Sequence, residues 1–421
     1  MYRVVCSLVE ECMSRVRTRE PFRKQAVMQF AVPEDALALD HRARLLWRVV
    51  ETLDLSAFTT DAKAVEGHVG RSLTSVRMQL TLWLYALSVG IGSAREIERC
   101  TRSDAAFQWI VGDQRVSHDT LSVFRIGHSA ALDKTFTDVL GVLLHKKLAT
   151  LDLVAQDGTR VRASASAPSF RQEPSLEECR EQAALHVKAV LAESDDAETS
   201  DAEKAARLAA ARDYQARVEA AIVVVQELAA AGKDKPRAST TDADARVMKM
   251  PDGGFRPGYN IQMATAGSPF GGPRTVVGVQ VTHVGSDMGS ISPMLDQIQC
   301  RTGELPKTLL ADANHANHEC IRDCERRGVE ALIPVPARSQ KAGPNADKDP
   351  AIAAWRARMQ TEEAKRKLRA RASLCELSNA HLKHHHGVAQ ILVRGVAKVT
   401  CVALLAALAA NLLQHAAALL A

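Results

Sequence analysis

The sequence predicts an α/β protein: a mixed sheet flanked by helices, with a helical N-terminal domain before it and a helical insertion inside it. Three observations carry this reading. From about Asp35 to Leu148 apolar residues recur at helical spacing. From Ala149 onward, short apolar runs bounded by glycine and polar turns come first as successive strands and then in alternation with helices, the order that gives a mixed sheet. Between the first and second of these runs, Leu176 to Thr240 is rich in Ala, Glu, Lys and Arg. At 421 residues the chain exceeds a single average core of about 100 to 200 residues, so two or three units are expected.

The elements follow in order. Ala43-Arg-Leu-Leu-Trp-Arg-Val-Val50 and Met78-Gln-Leu-Thr-Leu-Trp-Leu-Tyr-Ala-Leu87 have helical apolar spacing, and Gly90 and Gly92 stop the second run. Val116-Ser-His-Asp-Thr-Leu-Ser-Val-Phe-Arg125 reads as a helix opened by a serine or aspartate cap. Behind a short helix and a turn it has the form of a groove-binding helix, and equally that of an amphipathic helix with a solvated face. Leu151 to Gln156 is short, apolar and bounded by Gly158, which predicts a central strand with Asp157 at its end. In the insertion, apolar spacing through Tyr214, Val218, Ala221, Ile222 and Val225 predicts a helical hairpin or a coiled arm, left by the loop Lys233 to Arg237. Strands over Asn260 to Thr265 and Thr275 to Thr282, a helix over Pro293 to Gln299, a strand over Thr308 to Ala311, a helix over His318 to Arg327 and a strand over Glu330 to Val335 complete the sheet domain. The resulting division is 1–148 for the helical N-terminal domain, 149–175 with 241–395 for the sheet domain, 176–240 for the insertion and 396–421 for a C-terminal packing helix.

Composition narrows the function classes. Nine cysteines are scattered without a repeated C-x-x-C spacing, and Cys320 and Cys324 lack a matching second pair, which argues against zinc. The N-terminus has no long apolar core, and Arg15 to Lys24 is charged, so no secretion signal is read there and the thiols suit a reducing cytoplasm. The apolar run Val399 to Ala421 is interrupted by Asn411, Gln414 and His415, short of the roughly 20 residues a spanning helix needs, and reads as a packing helix. The net charge of +5 is small for this length and decides nothing alone, since polyanion binding depends on local clusters.

Three carboxylates carry the chemistry. Asp157 and Asp312 each end an apolar strand, and Glu376 lies in a helical stretch seven residues before Lys383, so that glutamate and lysine share a helix face. Phosphodiester transfer by two metals needs carboxylates that hold two Mg²⁺ about 3.5 to 4 Å apart. Hard oxygen ligands suit that ion, with Mn²⁺ as a substitute. Arg356, Arg358, Lys365, Arg366, Lys367, Arg369 and Arg371 gather just ahead of Glu376, where a basic cluster favours a polyphosphate substrate; a solvated charged helix is the alternative. His315 and His318 follow Asp312 closely, but imidazole suits softer ions than Mg²⁺. Asn260 and Gln262, on the second strand, are expected to face the site.

The succession of motifs resembles the DDE transposases of bacterial insertion sequences, most closely the insertion-sequence family numbered eleven-eighty-two. The residues that carry it are Tyr85 through Glu98, Ala106-Phe-Gln-Trp109, Asp119-Thr-Leu-Ser-Val-Phe-Arg125, Asp157-Gly-Thr-Arg-Val-Arg-Ala163, Asp242-Ala-Asp-Ala-Arg-Val-Met-Lys249, Pro257-Gly-Tyr-Asn-Ile-Gln262 and Leu310-Ala-Asp-Ala313. The resemblance implies a ribonuclease H-like catalytic domain with Asp157, Asp312 and Glu376 as its metal-binding catalytic triad. It further implies DNA-phosphate contacts at Arg371 and Lys383, and an N-terminal domain that binds terminal inverted repeats; the basic run adds Arg369 and Lys367, and the helix Val116 to Arg125 adds His118 and Arg125, as candidate DNA contacts. The implied reaction is strand cleavage by water followed by attack of a freed 3′ hydroxyl on target DNA. Its setting is double-stranded DNA in the bacterial cytoplasm, associated with the nucleoid and not with a membrane, with the protein a homodimer on DNA because two element ends must be bridged. Two features depart from the pattern: Leu368 stands where the signature tyrosine falls, and His384-His-His386 follows the lysine directly. The histidines read as a polar helix end or as an accessory metal or phosphate contact. A DNA-binding protein descended from a transposase, and a nuclease without strand transfer, are the alternatives.

Overall fold

The computed structural model describes residues 32–60, 73–192, 200–336 and 349–421; the charged stretch Arg15 to Lys24 lies outside the described residues. The first helical unit comprises α1 (Arg42–Glu51), α2 (Val76–Ser88), α3 (Ala94–Ser103), α4 (Ala105–Val111), α5 (His118–Gly127) and α6 (Ser129–His145). Local chemistry starts these helices where the pattern begins. Ser75, Ser93, Asp104 and Ser117 each accept a backbone N–H of the first turn, satisfying donors that a helix start leaves unpaired. Helix α2 is buried at every residue but Arg77, and Trp83 on it donates its indole N–H to the Leu121 carbonyl, 3.0 Å away, tying α2 to α5.

The sheet is mixed, as the order of elements predicts. Strand β1 (Leu153–Arg162) pairs antiparallel with β5 (Phe255–Ala266) over its length. The other edge of β5 pairs with β4 (Arg246–Lys249) and β6 (Thr275–Thr282). On its far side β1 pairs parallel with β7 (Thr308–Leu310), which pairs parallel with β8 (Glu330–Leu332). Helices α9 (Ile291–Thr302), α10 (His318–Arg326) and α11 (Pro350–Gln360) pack beside it. The insertion is a hairpin of α7 (Glu173–Ala192) and α8 (Asp201–Ala230) with a small core of its own around Leu176, Val218, Ile222 and Val225. The short pair β2 (Phe170–Arg171) and β3 (Ala238–Ser239) closes its base.

Two sequence expectations change. Strand β1 does not end at Gln156: it runs through Asp157 and Gly158 to Arg162 because β5 continues beside it after β7 has left. Gly158 stops nothing. A Cβ there would lie 2.1 Å from an Asp287 carboxylate oxygen and 2.2 Å from the Gln262 amide nitrogen, so the glycine makes room for side chains crossing the sheet.

The C-terminal helix α13 (Val396–Leu420) is long and apolar enough to cross a membrane by composition, yet most of it is buried inside the protein, against β6 on one side and α1, α2 and α6 on the other. The polar residues that interrupt its apolar run explain why. Asn411 accepts the Val276 N–H and donates to the Val276 carbonyl, both at 2.8 Å, and His415 meets the Thr275 hydroxyl at 2.8 Å. They satisfy the open edge of β6, a need that no lipid chain meets. One hydrophobic core therefore runs from Ala43 to Ala416, joining helical unit and sheet.

Candidate active site

The site grows from the register of β1 and β7. Their parallel pairing ends at Ala155 and Leu310; Asp157 and Asp312 each follow two residues later, so alternation sets both beyond the last rung on the same side of adjacent strands. Asp157 accepts the Gly158 N–H at 3.0 Å and the Asn379 side-chain amide at 3.1 Å. Burial pushes its carboxyl above the usual range and the Asp312 charge adds to that push, while Arg371, 3.7 Å from Asp157 Oδ2, opposes them. Asp312 caps the short turn Ala313–His315, taking the Asn314 N–H at 2.9 Å, the Asn314 side-chain amide at 2.8 Å and His315 Nδ1 at 2.7 Å. Burial pushes this carboxyl up as well, but the hydrogen bond and charge of His315, with Asn314 and Arg371, outweigh it and hold Asp312 below its ordinary value.

Glu376 stands differently. Helix α12 (Glu362–Arg371) continues into a widened π turn, Ala372–Glu376, one α turn, Leu377–Ala380, and a second π turn, His381–His385. The Glu376 side chain is 61 % exposed, against 19 % for Asp157 and 26 % for Asp312, and its contact is Arg371 Nη2 at 3.4 Å. The Arg371 guanidinium thus lies between Asp157 and Glu376, supplying positive charge to both. Among the described residues, no three His, Cys, Asp or Glu side chains converge as a ready ligand set. The oxygen donors of Asp157 and Asp312 suit a hard divalent cation; Glu376 is in the neighbourhood but outside that pair.

Lys383, in the second π turn, is half-buried; burial pushes its amine down and the Asp157 carboxylate counters that. The lysine and the first carboxylate thus share one electrostatic environment. Two π turns were not legible in the spacing, and π turns often mark functional sites.

The other predicted contacts divide. Arg369 is exposed, its Nε reaching the Lys365 carbonyl at 3.4 Å. Lys367 is held by Glu330 at 3.0 Å and Glu363 at 3.2 Å, Lys365 by Glu362, and Arg358 by Glu325, so much of the basic run is already ion-paired. His118 hydrogen-bonds the Glu98 carboxylate through Nδ1 at 2.6 Å while keeping partial exposure. Arg125 requires a correction. It is 6 % exposed, donates to the Gly92 carbonyl at 2.8 Å and lies 4.5 Å over the Trp83 ring, so it braces the helical core and leaves little of its surface for a DNA contact.

Asn260 and Gln262 also depart from expectation. Gln262 is registered opposite Gly158 and Asn260 opposite Arg160, while Asp157 is opposite Met263, so the two amides lie on the sheet face away from Asp157. There both donate to Asp287, at 2.8 and 2.6 Å. His315 is fully buried between Asp312 and Gln262. Sequence reasoning missed Asn379 and Asp287, which carry no local motif; contact across the sheet alone reveals them.

Leu368 is partly buried and packs against the main core. In the histidine run, His386 is buried with Nδ1 3.2 Å from the Leu87 carbonyl, and burial pushes its imidazole down to about 4. His381 and His385 meet edge to face at 4.9 Å. Gly387, at φ +64°, packs so closely on the end of α2 that a Cβ would lie 2.5 Å from the Gly90 carbonyl oxygen. The segment after Lys383 is therefore a docking joint to the helical unit at least as much as a polar helix end.

Residues 315–416 match a family model described as a transposase DDE domain, and residues 31–126 match one described as a transposase domain. The first span contains Arg371, Glu376 and Lys383 but begins after Asp157 and Asp312. No curated protein and no solved structure matches the chain.

Proposed function

We propose that this chain is a transposase of the DDE type, a reading the two matched spans support, and that it cuts DNA at terminal inverted repeats and joins the freed 3′ ends to target DNA, as a member of insertion-sequence family eleven-eighty-two. The observation that carries this reading is the register that sets Asp157 and Asp312 side by side at the parting of β1 and β7. The strand order β6-β5-β1-β7-β8, three antiparallel strands then two parallel ones, supports a ribonuclease H-like fold for the catalytic domain. Residues 1–148 form the DNA-recognition domain in this reading, 149–175 with 241–395 the catalytic domain, 176–240 the insertion and 396–421 the packing helix.

Asp157, Asp312 and Glu376 are the proposed holders of two Mg²⁺ ions, for which Mn²⁺ substitutes. Held there, such ions would supply activation of an attacking oxygen and charge stabilisation of a leaving one. The chain's own groups do the rest. Asn379 fixes one oxygen of Asp157 and the Gly158 N–H the other. Arg371, exchanging its carboxylate contacts for phosphate oxygens, and Lys383 hold the scissile strand; Arg369 and Lys367 contact the flanking backbone, and His118 contacts DNA at the start of α5. Two ends must be bridged, so the active species is a homodimer on double-stranded DNA, in the cytoplasm with the nucleoid.

The exposure of Glu376 favours one second reading, a DNA-binding descendant that no longer assembles its third acid. A supercoiled plasmid carrying the DNA that flanks the coding frame, incubated with protein and Mg²⁺, separates the readings. Joined product supports the transposase, cuts without joining a nuclease, and retention without cuts the DNA-binding descendant. Joining that persists in Asp157→Asn removes the triad assignment.

A further inference from the structure

We infer that His315 is a positioning residue for Asp312, and that Asp287, remote from the proposed reacting groups, sets His315 through Gln262; this rests on the reading of Asp312 as a metal-binding acid. The path is continuous. Asp287, 7 % exposed, accepts from Asn260 Nδ2 at 2.8 Å and Gln262 Nε2 at 2.6 Å, with Arg160 Nη2 3.8 Å away. A carboxylate only accepts, so it fixes which end of the Gln262 amide faces it: the nitrogen. The Gln262 oxygen is thereby turned the other way, where it takes Gln156 Nε2, the Ser290 hydroxyl and His315 Nε2, each at 3.3 Å. With Nε2 engaged on an acceptor, the His315 ring is held in one plane, and its Nδ1 is aimed at Asp312 Oδ1 at 2.7 Å.

Three features separate this path from ordinary core polarity. His315 and Gln262 are both 0 % exposed, so no solvent competes for their hydrogen bonds. Gly158 leaves the space into which Asp287 and Gln262 fit, directly beside Asp157 in sequence. Asp312 sits just beyond β7, where no further rung holds the backbone and the side-chain contacts must supply the orientation. His315 itself has both ring nitrogens occupied by this path, which explains why it is no ligand. Partners that orient metal-binding side chains typically change metal affinity by about 10- to 100-fold when removed.

The test is Mn²⁺ binding by the DNA-free full chain, followed by electron paramagnetic resonance, with the thermal midpoint measured alongside. Asp312→Asn should weaken Mn²⁺ binding strongly. His315→Phe, which keeps the ring and removes both ring nitrogens, should weaken it by about 10-fold or more, and His315→Gln, which keeps a polar group there, by less. Gln262→Met never touches Asp312, yet should weaken binding several-fold. The double variant His315→Phe with Gln262→Met should be no worse than His315→Phe alone, since both break one path. Wild-type affinity in His315→Phe, or simple additivity in the double variant, overturns the positioning role. If His315→Phe does not fold, Gln262→Met decides, and unchanged affinity there overturns the proposal. Unchanged binding in Asp312→Asn fails the metal reading itself, an outcome distinct from failure of the path.

Discussion

Asp157 and Asp312 differ from Glu376 in how the protein holds them. The two aspartates leave adjacent strands, are mostly buried, and accept side-chain and backbone donors at 2.7 to 3.1 Å. Glu376 projects from a π turn, largely exposed, with a 3.4 Å contact to an arginine that also serves Asp157. Rigid strands and fixed donors prepare a charge site before any ligand arrives. An exposed acid on a widened turn is placed by what binds. Under the proposed function, the aspartates are the standing part of the site, and Glu376 the part that cation and DNA would complete.

The largest effect that can break this comparison is on joining. Asp157→Asn and Asp312→Asn should each lower the joining rate by about a thousandfold, on the order of 4 kcal/mol of transition-state stabilisation. Glu376→Gln should lower joining as well but leave DNA-free Mn²⁺ affinity closer to wild type than either aspartate variant does. Equal losses of Mn²⁺ affinity in all three would erase the distinction between standing and completed parts.

Next in size is the joint that carries Glu376 and Lys383 onto the helical unit. Gly387→Ala puts a Cβ against the Gly90 carbonyl at a positive φ, and should destabilise by about 1 to 3 kcal/mol, read from denaturant midpoints. Asn411→Leu leaves the Val276 N–H and carbonyl unpaired and should cost about 1 to 3 kcal/mol. A neutral result for either would mean that helical unit and sheet do not share one core.

A smaller effect has the opposite sign. Burial raises the folded-state pKa of Asp157 above its unfolded value. Its contribution to stability is therefore fully present below the unfolded pKa and lost as pH rises through the folded pKa. Folding thus favours the neutral form, so Asp157→Asn, which carries no charge, should raise the melting temperature at pH 7. The gain should vanish at a pH below the unfolded carboxyl pKa; a lower melting temperature at pH 7 would contradict it. Smallest is the salt dependence of DNA binding. Lys383→Ala should reduce the slope of log K against log salt by about one, while Lys367→Ala, whose ammonium already serves Glu330 and Glu363, should change it little.

What the sequence conveyed follows from where each residue finds its partners. The β6 bounds, Thr275 to Thr282, were readable because an apolar run between turns is a local signal. So was the α5 start, since a serine cap acts within three residues. Placing Asp157 and Asp312 beside each other required only that both apolar runs be strands of one sheet. Arg125 misled because its partners, Gly92 and Trp83, come from α2 and the turn after it, and an arginine on a helix looks the same whether it faces water or a tryptophan. The true extent of β1 was hidden by Gly158, whose reason lies across the sheet in Asp287. The π turns around Glu376 have no sequence signature at all, so the shared face inferred for Glu376 and Lys383 rested on an α-helical repeat that this segment does not keep.

The central claim is that Asp157 and Asp312 form the standing half of a divalent-cation site. Anomalous scattering from crystals of the full chain with Mn²⁺ tests it most directly. The account predicts a peak at about 2.0 to 2.2 Å from an oxygen of each aspartate, with the Arg371 guanidinium moved away from Asp157. A Mn²⁺ peak that touches neither aspartate, or no peak at an ion concentration that supports joining, would contradict it.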